Sequence, residues 1–249
     1  MLSRLSLCAI ILSLLEHLAF ANATMPMVQP TDWNWVTTIT AGPVLTKGGQ
    51  IQTLYLTPTI EKTYTAKRTI NAIRSSEFFI GAQQLLTPES LGQLGLAIAT
   101  TGSTTLEGNI WDDANAQFNN YHYRYKIQNT RITAKGKLLI DKDYWLIPWI
   151  EGSLGIGFNR ARDFTNTSLL FQAYPNQNFG NHTQVAFTYS IATGVQQTIS
   201  EHCQIGIGYE FADWGKSALG RAESQILKNR LRLNHLYTNG ILFNLTYIA

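Results

Sequence analysis

Apolar and polar residues alternate along most of the chain with a period of two, the mark of strands with two unlike faces. Segment 203–214 is the cleanest: Cys203, Ile205, Ile207, Tyr209 and Phe211 share one face, and Gln204, Gly206, Gly208 and Glu210 the other. Segments 145–158, 184–198 and 229–248 repeat the design, and 51–65, 77–86 and 92–107 follow it less regularly. Segment 121–140 changes parity. Tyr121, Tyr123, Tyr125 and Ile127 are odd, whereas Ile132, Ala134, Leu138 and Ile140 are even, which predicts a β-bulge between 128 and 131. These are eight strands. A further stretch, 33–46, would make nine, and single-chain membrane barrels use even numbers. It is therefore expected to tuck into the barrel or pair partly with it. Ten strands, with the last segment split at 237–240, is the alternative.

The gaps between the eight segments alternate in length. They are long at 66–76, 108–120, 159–183 and 215–228, and short at 87–91, 141–144 and 199–202. A transmembrane barrel has this rhythm, with short periplasmic turns and long outer loops. The second face of the strands is rich in Gly, Ala, Ser, Thr, Asn and Gln, which suits a narrow, wet lumen. The apolar face would then meet lipid. Aromatics gather near segment ends (Tyr121, Tyr123, Tyr125, Tyr144, Trp145, Phe158, Phe211, Trp214, Tyr237 and Tyr247), as interface girdles require. The predicted fold is all-β, an eight-stranded antiparallel up-and-down transmembrane β-barrel.

Composition agrees. Of 249 residues, 45% are apolar and 11% aromatic, but only 14% are charged, against about 25% in soluble domains. No run of about 20 apolar residues follows the N-terminus, which excludes a multi-span helical protein. Residues 1–23 read as a signal peptide: Arg4, an apolar stretch from Leu5 to Leu15, and the small-x-small triplet Ala21-Asn22-Ala23. Export would remove Cys8 and leave Cys203 without a partner. The expected division is a signal peptide at 1–23, an N-terminal segment at 24–49 and a barrel at 50–249. The net charge of +3 is scattered, with no basic run, so nucleic acid is not an expected partner.

The closing residues Thr238-Asn239-Gly240-Ile241-Leu242-Phe243-Asn244-Leu245 resemble the polar-x-Gly-x-x-aromatic-x-hydrophobic insertion signal of outer-membrane proteins. The resemblance implies that Thr238, Gly240, Phe243 and Leu245 address the chain to the barrel-assembly machinery. The run from Gly208 to Ser217 and the Leu-Tyr-Thr-Asn at 236–239 are similar to small Gram-negative outer-membrane barrels of the opacity or outer-membrane-protein-A type. That resemblance implies the fold, an outer-membrane location and lipid as a partner. It implies no single activity.

Catalytic chemistry finds little support in the residues. No Ser lies within several residues of His235, Asp213 stands isolated, and no His, Cys, Asp and Glu spacing matches a metal site. No enzyme activity, cofactor or metal is expected. In the lumen, Lys135 and Glu151 are placed roughly opposite each other across the turn at 141–144, with Lys137 as the substitute if the register slips by two. The long loop 159–183 carries Phe164, Phe171, Tyr174 and Phe179, a possible contact surface for a host or surface ligand. The expected function is a monomeric barrel that displays outer loops for adhesion, envelope integrity or host interaction. A porin-like channel and a lipid A-modifying enzyme are the alternatives.

Overall fold

The computed structural model describes residues 33–67, 69–142, 145–171, 176–222 and 225–249. The expected signal peptide, residues 24–32, Tyr144 and Tyr174 lie outside them. Thirteen strands follow in order: β1 (Asn34–Gly48), β2 (Gln52–Thr57), β3 (Ile60–Ala66), β4 (Thr69–Thr87), β5 (Ser90–Thr101), β6 (Thr104–Asp112), β7 (Asn119–Ile140), β8 (Ile147–Ser168), β9 (His182–Ser200), β10 (Cys203–Asp213), β11 (Ser217–Ala218), β12 (Arg232–Leu233) and β13 (Tyr237–Ile248).

Eight of them close a ring in the order β1-β4-β5-β7-β8-β9-β10-β13, every neighbour antiparallel, with β13 returning to β1. Closure removes every free edge, which a bilayer demands because lipid offers no hydrogen bonds. The short connections β4–β5, β7–β8 and β9–β10 sit at one end, and the four long ones at the other. Around the ring, Ile80, Leu94, Ile98, Ile156, Phe187, Ile207 and Phe243 point outward and exposed. Thr38, Gln93, Thr133, Ser190 and Asn244 point inward and buried. An apolar outer wall around a polar lumen is the surface of a transmembrane barrel of outer-membrane type. Trp33, Trp35 and Trp145 stand exposed at the short-turn end, where a girdle belongs.

The first ring strand corrects the sequence expectation. Residues 34–48 neither tuck nor pair partly: β1 pairs β4 from Asn34↔Gln83 to Gly48↔Thr69 and β13 from Val36↔Ile248 to Lys47↔Tyr237. The segment that had stood for the first strand, 51–65, is instead the hairpin β2–β3, turning at Pro58-Thr59 and joined to the rest through β6. Proline has no N–H for a ladder, so Pro58 marks a turn where a strand interior was read. The last segment is also interrupted, and its membrane strand begins only at Tyr237.

β7 and β8 are 22 residues each. At about 3.3 Å per residue they reach roughly 70 Å, more than twice the hydrocarbon core. Their upper halves therefore stand outside the membrane. There β6, β3 and β2 extend the same sheet from the upper half of β7, closed over by the chain between β10 and β13. Its interior is apolar and aromatic: Leu54, Leu56, Tyr64, Ile110, Tyr121, Tyr123, Tyr125, Phe164, Phe179, Trp214, Leu219 and Leu236 form one buried cluster. The molecule is a lipid-facing barrel carrying a water-facing head.

No bulge interrupts β7 at 128–131. Odd residues face inward along its whole length. What changes is their chemistry, from Tyr and Ile in the head to Asn, Arg, Thr and Lys in the barrel. The extra residues sit on the partners, at Gly102-Ser103 between β5 and β6 and near Asp163 of β8, whose φ is 57°. For the same reason Tyr121, Tyr123, Tyr125 and Trp214 belong to the head core and not to an interface girdle.

Candidate functional site

Six charged side chains meet inside the ring. Arg131, Lys135 and Lys137 come from β7, Glu77 from β4, Glu151 from β8 and Glu210 from β10. Each occupies an inward row, where alternation along the strand delivers it. The Arg131 guanidinium grips Glu210 with Nη2 3.0 Å from Oε1 and 3.2 Å from Oε2, and stands 3.7 Å from Glu77. The Lys135 ammonium donates to Glu77 and, at 3.0 Å, to Glu151 Oε1. Lys137 donates to Gln196 Oε1 at 2.7 Å and lies 4.5 Å from the centre of the Trp149 ring. Three cations face three carboxylates, so the charges cancel.

Backbone register places Lys137 opposite Glu151 and Lys135 opposite Ser153. Lys135 nevertheless reaches Glu151 on the diagonal, while Lys137 turns to Gln196. The sequence pointed to Lys135 and Glu151, with Lys137 as the substitute, and missed Glu77, Arg131 and Glu210. The missing signal was row parity. Arg131 shares its inward row with Lys135, and Glu210 stands on the polar face of the cleanest strand, but only the ring order brings β4 and β10 across from β7.

Below this network Trp149 lies across the lumen. A Cβ on Gly208 would stand 2.4 Å from the Trp149 ring and one on Gly194 2.5 Å from it, so both positions must lack a side chain. Gln93 bonds Gln83 at 2.8 Å, Gln196 bonds Gln204 at 2.6 Å, and Ser153 bonds Ser190 at 2.7 Å. The cavity left beside Glu77, Lys135 and Trp149 is about 20 Å³, room for about one water.

Above the network the head is sealed by rings. Tyr64 meets Tyr123 and Phe179 edge-on at 5.6 and 5.5 Å, and Phe164 meets Phe179 at 5.1 Å. Burial pushes the Tyr64 phenol well above its ordinary pKa, as a dry interior must. This corrects the expected contact surface. Phe164 and Phe179 are buried, 6% and 4% exposed, and hold the head together. Phe171 is fully exposed, beside exposed Leu169 and Leu170. Tyr174 lies outside the described residues.

At the outer rim, His235 Nδ1 lies 2.7 Å from Asp213 Oδ2, and its ring stacks on Tyr237 at 5.4 Å. Asp213 is thus not isolated. Its other oxygen accepts from the Gly215 N–H at 2.8 Å, a contact that fixes the start of the loop. Among the described residues, no three His, Cys, Asp or Glu side chains gather closely enough to hold a metal ion. On β13, Thr238 faces inward and Phe243 and Leu245 face lipid. Gly240 lies so close to β1 that a Cβ would meet the Pro43 carbonyl at 2.3 Å.

No family model matches the chain, and no curated protein does. Solved structures of small barrels are similar in outline. Neisserial surface protein A is 10% identical, with a TM-score of 0.43 over 87% of this chain and 99% of that one. The outer membrane protease OmpT of Escherichia coli is 8% identical, with a TM-score of 0.45 over 91% of this chain and 99% of that one. The outer membrane protein OprG of Pseudomonas aeruginosa is 11% identical, with a TM-score of 0.43 over 86% of this chain and 95% of that one.

Proposed function

We propose that the protein is a non-conducting, non-enzymatic barrel of the Gram-negative outer membrane that holds a packed head at the cell surface for contact with an external ligand. Adhesion, envelope integrity and host interaction are the uses that fit. The observation that carries this reading is the filled lumen: among the described residues, six side chains whose charges cancel lie beneath a buried aromatic core, and the cavity beside them has room for about one water. The exposed Leu169, Leu170 and Phe171 supply an apolar tip on a rigid support. The porin-like alternative requires a lumen the side chains have filled. Planar-bilayer recording decides between them. Silence is expected, and well-defined open steps would overturn the reading.

Insertion follows from the same reading. The chain enters the membrane as a monomer after loss of residues 1–23, with the assembly machinery reading Thr238, Gly240, Phe243 and Leu245. Phe243→Ala should lower the fraction that reaches the outer membrane, and normal insertion of that variant would count against the signal. The pairing of Asp213 with His235 is the one observation that favours an enzyme among the described residues. Both groups are used locally, one on a loop N–H and one on a tyrosine face, so the pair reads as an anchor. Unchanged lipid A masses with and without the protein are expected.

A further inference from the structure

A cleft of about 330 Å³ opens on the head between the start of β9 and the chain returning from β10 to β13. Lys216, Lys228, Arg230 and Arg232 line it, with Gln184 and Ser217, and among the described residues no carboxylate lies in its wall. The salt bridges among the described residues include none of these four cations. Gathering like charges without a counter-charge costs stability through self-repulsion. Here the cost is built into a fixed scaffold.

Leu231 and Leu233 are buried in the head core, so alternation turns Arg230 and Arg232 the other way. The Gln52 side chain clamps both backbones: Nε2 donates to the Arg230 carbonyl at 3.1 Å, and Oε1 accepts from the Arg232 N–H at 2.9 Å. β12 pairs with β11, directly after Lys216. Arg230 Nη1 donates to His182 Nε2 at 2.9 Å, which fixes that nitrogen as the acceptor. The Ser217 hydroxyl, buried in the wall, has no hydrogen-bond partner among the described residues. Gln184 belongs to the inward row of β9, since Val185 and Phe187 face lipid, so the cleft opens at the barrel mouth.

We propose that this cleft binds a saccharide carrying several phosphate or sulfate esters. Two guanidinium groups on one face present paired donors to such oxyanions, and the ammonium groups add charge without directional demand. The ligand has two possible sources, a soluble glycan or the phosphorylated headgroup of a neighbouring outer-leaflet lipid. The proposal rests on the display reading, because it makes the head the recognition element.

The test is calorimetric titration of the full barrel in an uncharged detergent with inositol hexakisphosphate as the probe. Saturable binding is expected, weakening as salt rises. R230Q/R232Q and K216Q/K228Q should each weaken it at least tenfold, while R74Q/R124Q, which removes two exposed cations elsewhere, should leave it within twofold. Heat-modifiable gel mobility checks that every variant is folded. Equal weakening by all three pairs, or no saturable binding, would overturn the proposal. Repeating the titration in nanodiscs identifies the source: blockage by phosphorylated but not dephosphorylated lipid A assigns the cleft to the lipid headgroup, and equal binding in both assigns it to a soluble glycan. Either result supports the site. Bilayer silence without probe binding would overturn this inference and leave the display reading intact, whereas open steps with probe binding would do the reverse.

Discussion

β7 passes through two regions that obey opposite rules. In the barrel its inward residues are Arg131, Thr133, Lys135 and Lys137, and its outward residues are Ile132, Ala134, Leu138 and Ile140. In the head the inward residues are Tyr121, Tyr123, Tyr125 and Ile127, and the outward ones His122, Arg124, Lys126 and Gln128. The strand keeps one register and one handedness throughout. Only the surrounding solvent changes. Lipid outside rewards an apolar outer wall and leaves the polar groups to satisfy one another within. Water outside restores the ordinary hydrophobic interior. The membrane boundary is written in this exchange, near Asn129, more sharply than in any aromatic girdle.

Substitutions that confuse the two rules should break them in order of size. Arg131→Met leaves Glu210 buried without its guanidinium and should cost about 3–5 kcal/mol in urea titration in detergent. Lys135→Met and Glu151→Gln should each destabilise in the same assay, and the double variant should lose less than their sum. Strict additivity would mean that their 3.0 Å contact carries no energy. Phe164→Ala should cost roughly 3–5 kcal/mol, but in the head alone. Proteolysis should then cut the outer segments while the ring stays heat-modifiable, and simultaneous loss of both would show that the regions fold as one.

Ile207→Lys should cost roughly 2–4 kcal/mol, since lysine there faces the hydrocarbon. Ile226→Lys, also exposed but on the head, should stay within about 0.5 kcal/mol. Similar costs at both sites would erase the proposed boundary. Gly208→Ala should cost about 1–3 kcal/mol by pushing against Trp149, a lumen effect that polarity alone does not anticipate. Phe171→Ala should leave stability unchanged and alter only ligand contact.

The ring size was legible in the chain because period-two rows and alternating gap lengths are local properties. Two features were not. The identity of the first strand depended on whether 34–48 or 51–65 crosses the membrane, and the even-number rule removes one of them without saying which. Pro43 fits because the pairing of β1 with β13 skips Gly42 and Pro43. The head escaped notice because apolar residues on an inward row look like a lipid face displaced by one. Reading the Tyr121 to Ile127 row correctly requires knowing which solvent surrounds that stretch, and no single strand carries that information. For the site, Lys135 and Glu151 were visible as neighbours across a turn. Glu77 and Glu210 arrive from strands far away in sequence, through ring closure.

The seam between β1 and β13 has a consequence in time. Val36 pairs with Ile248, and the Ala249 N–H donates to the Trp35 carbonyl at 2.9 Å, so the first strand of the ring waits for the last. Strands made early by the ribosome therefore have no stable resting place until β13 has been made. Contacts this remote in sequence form slowly. Meanwhile the outward rows, harmless in lipid, are a template for clumping in water. A chain built this way must be escorted across its aqueous route as an unfinished object, and any delay at the seam lengthens its exposure to proteases.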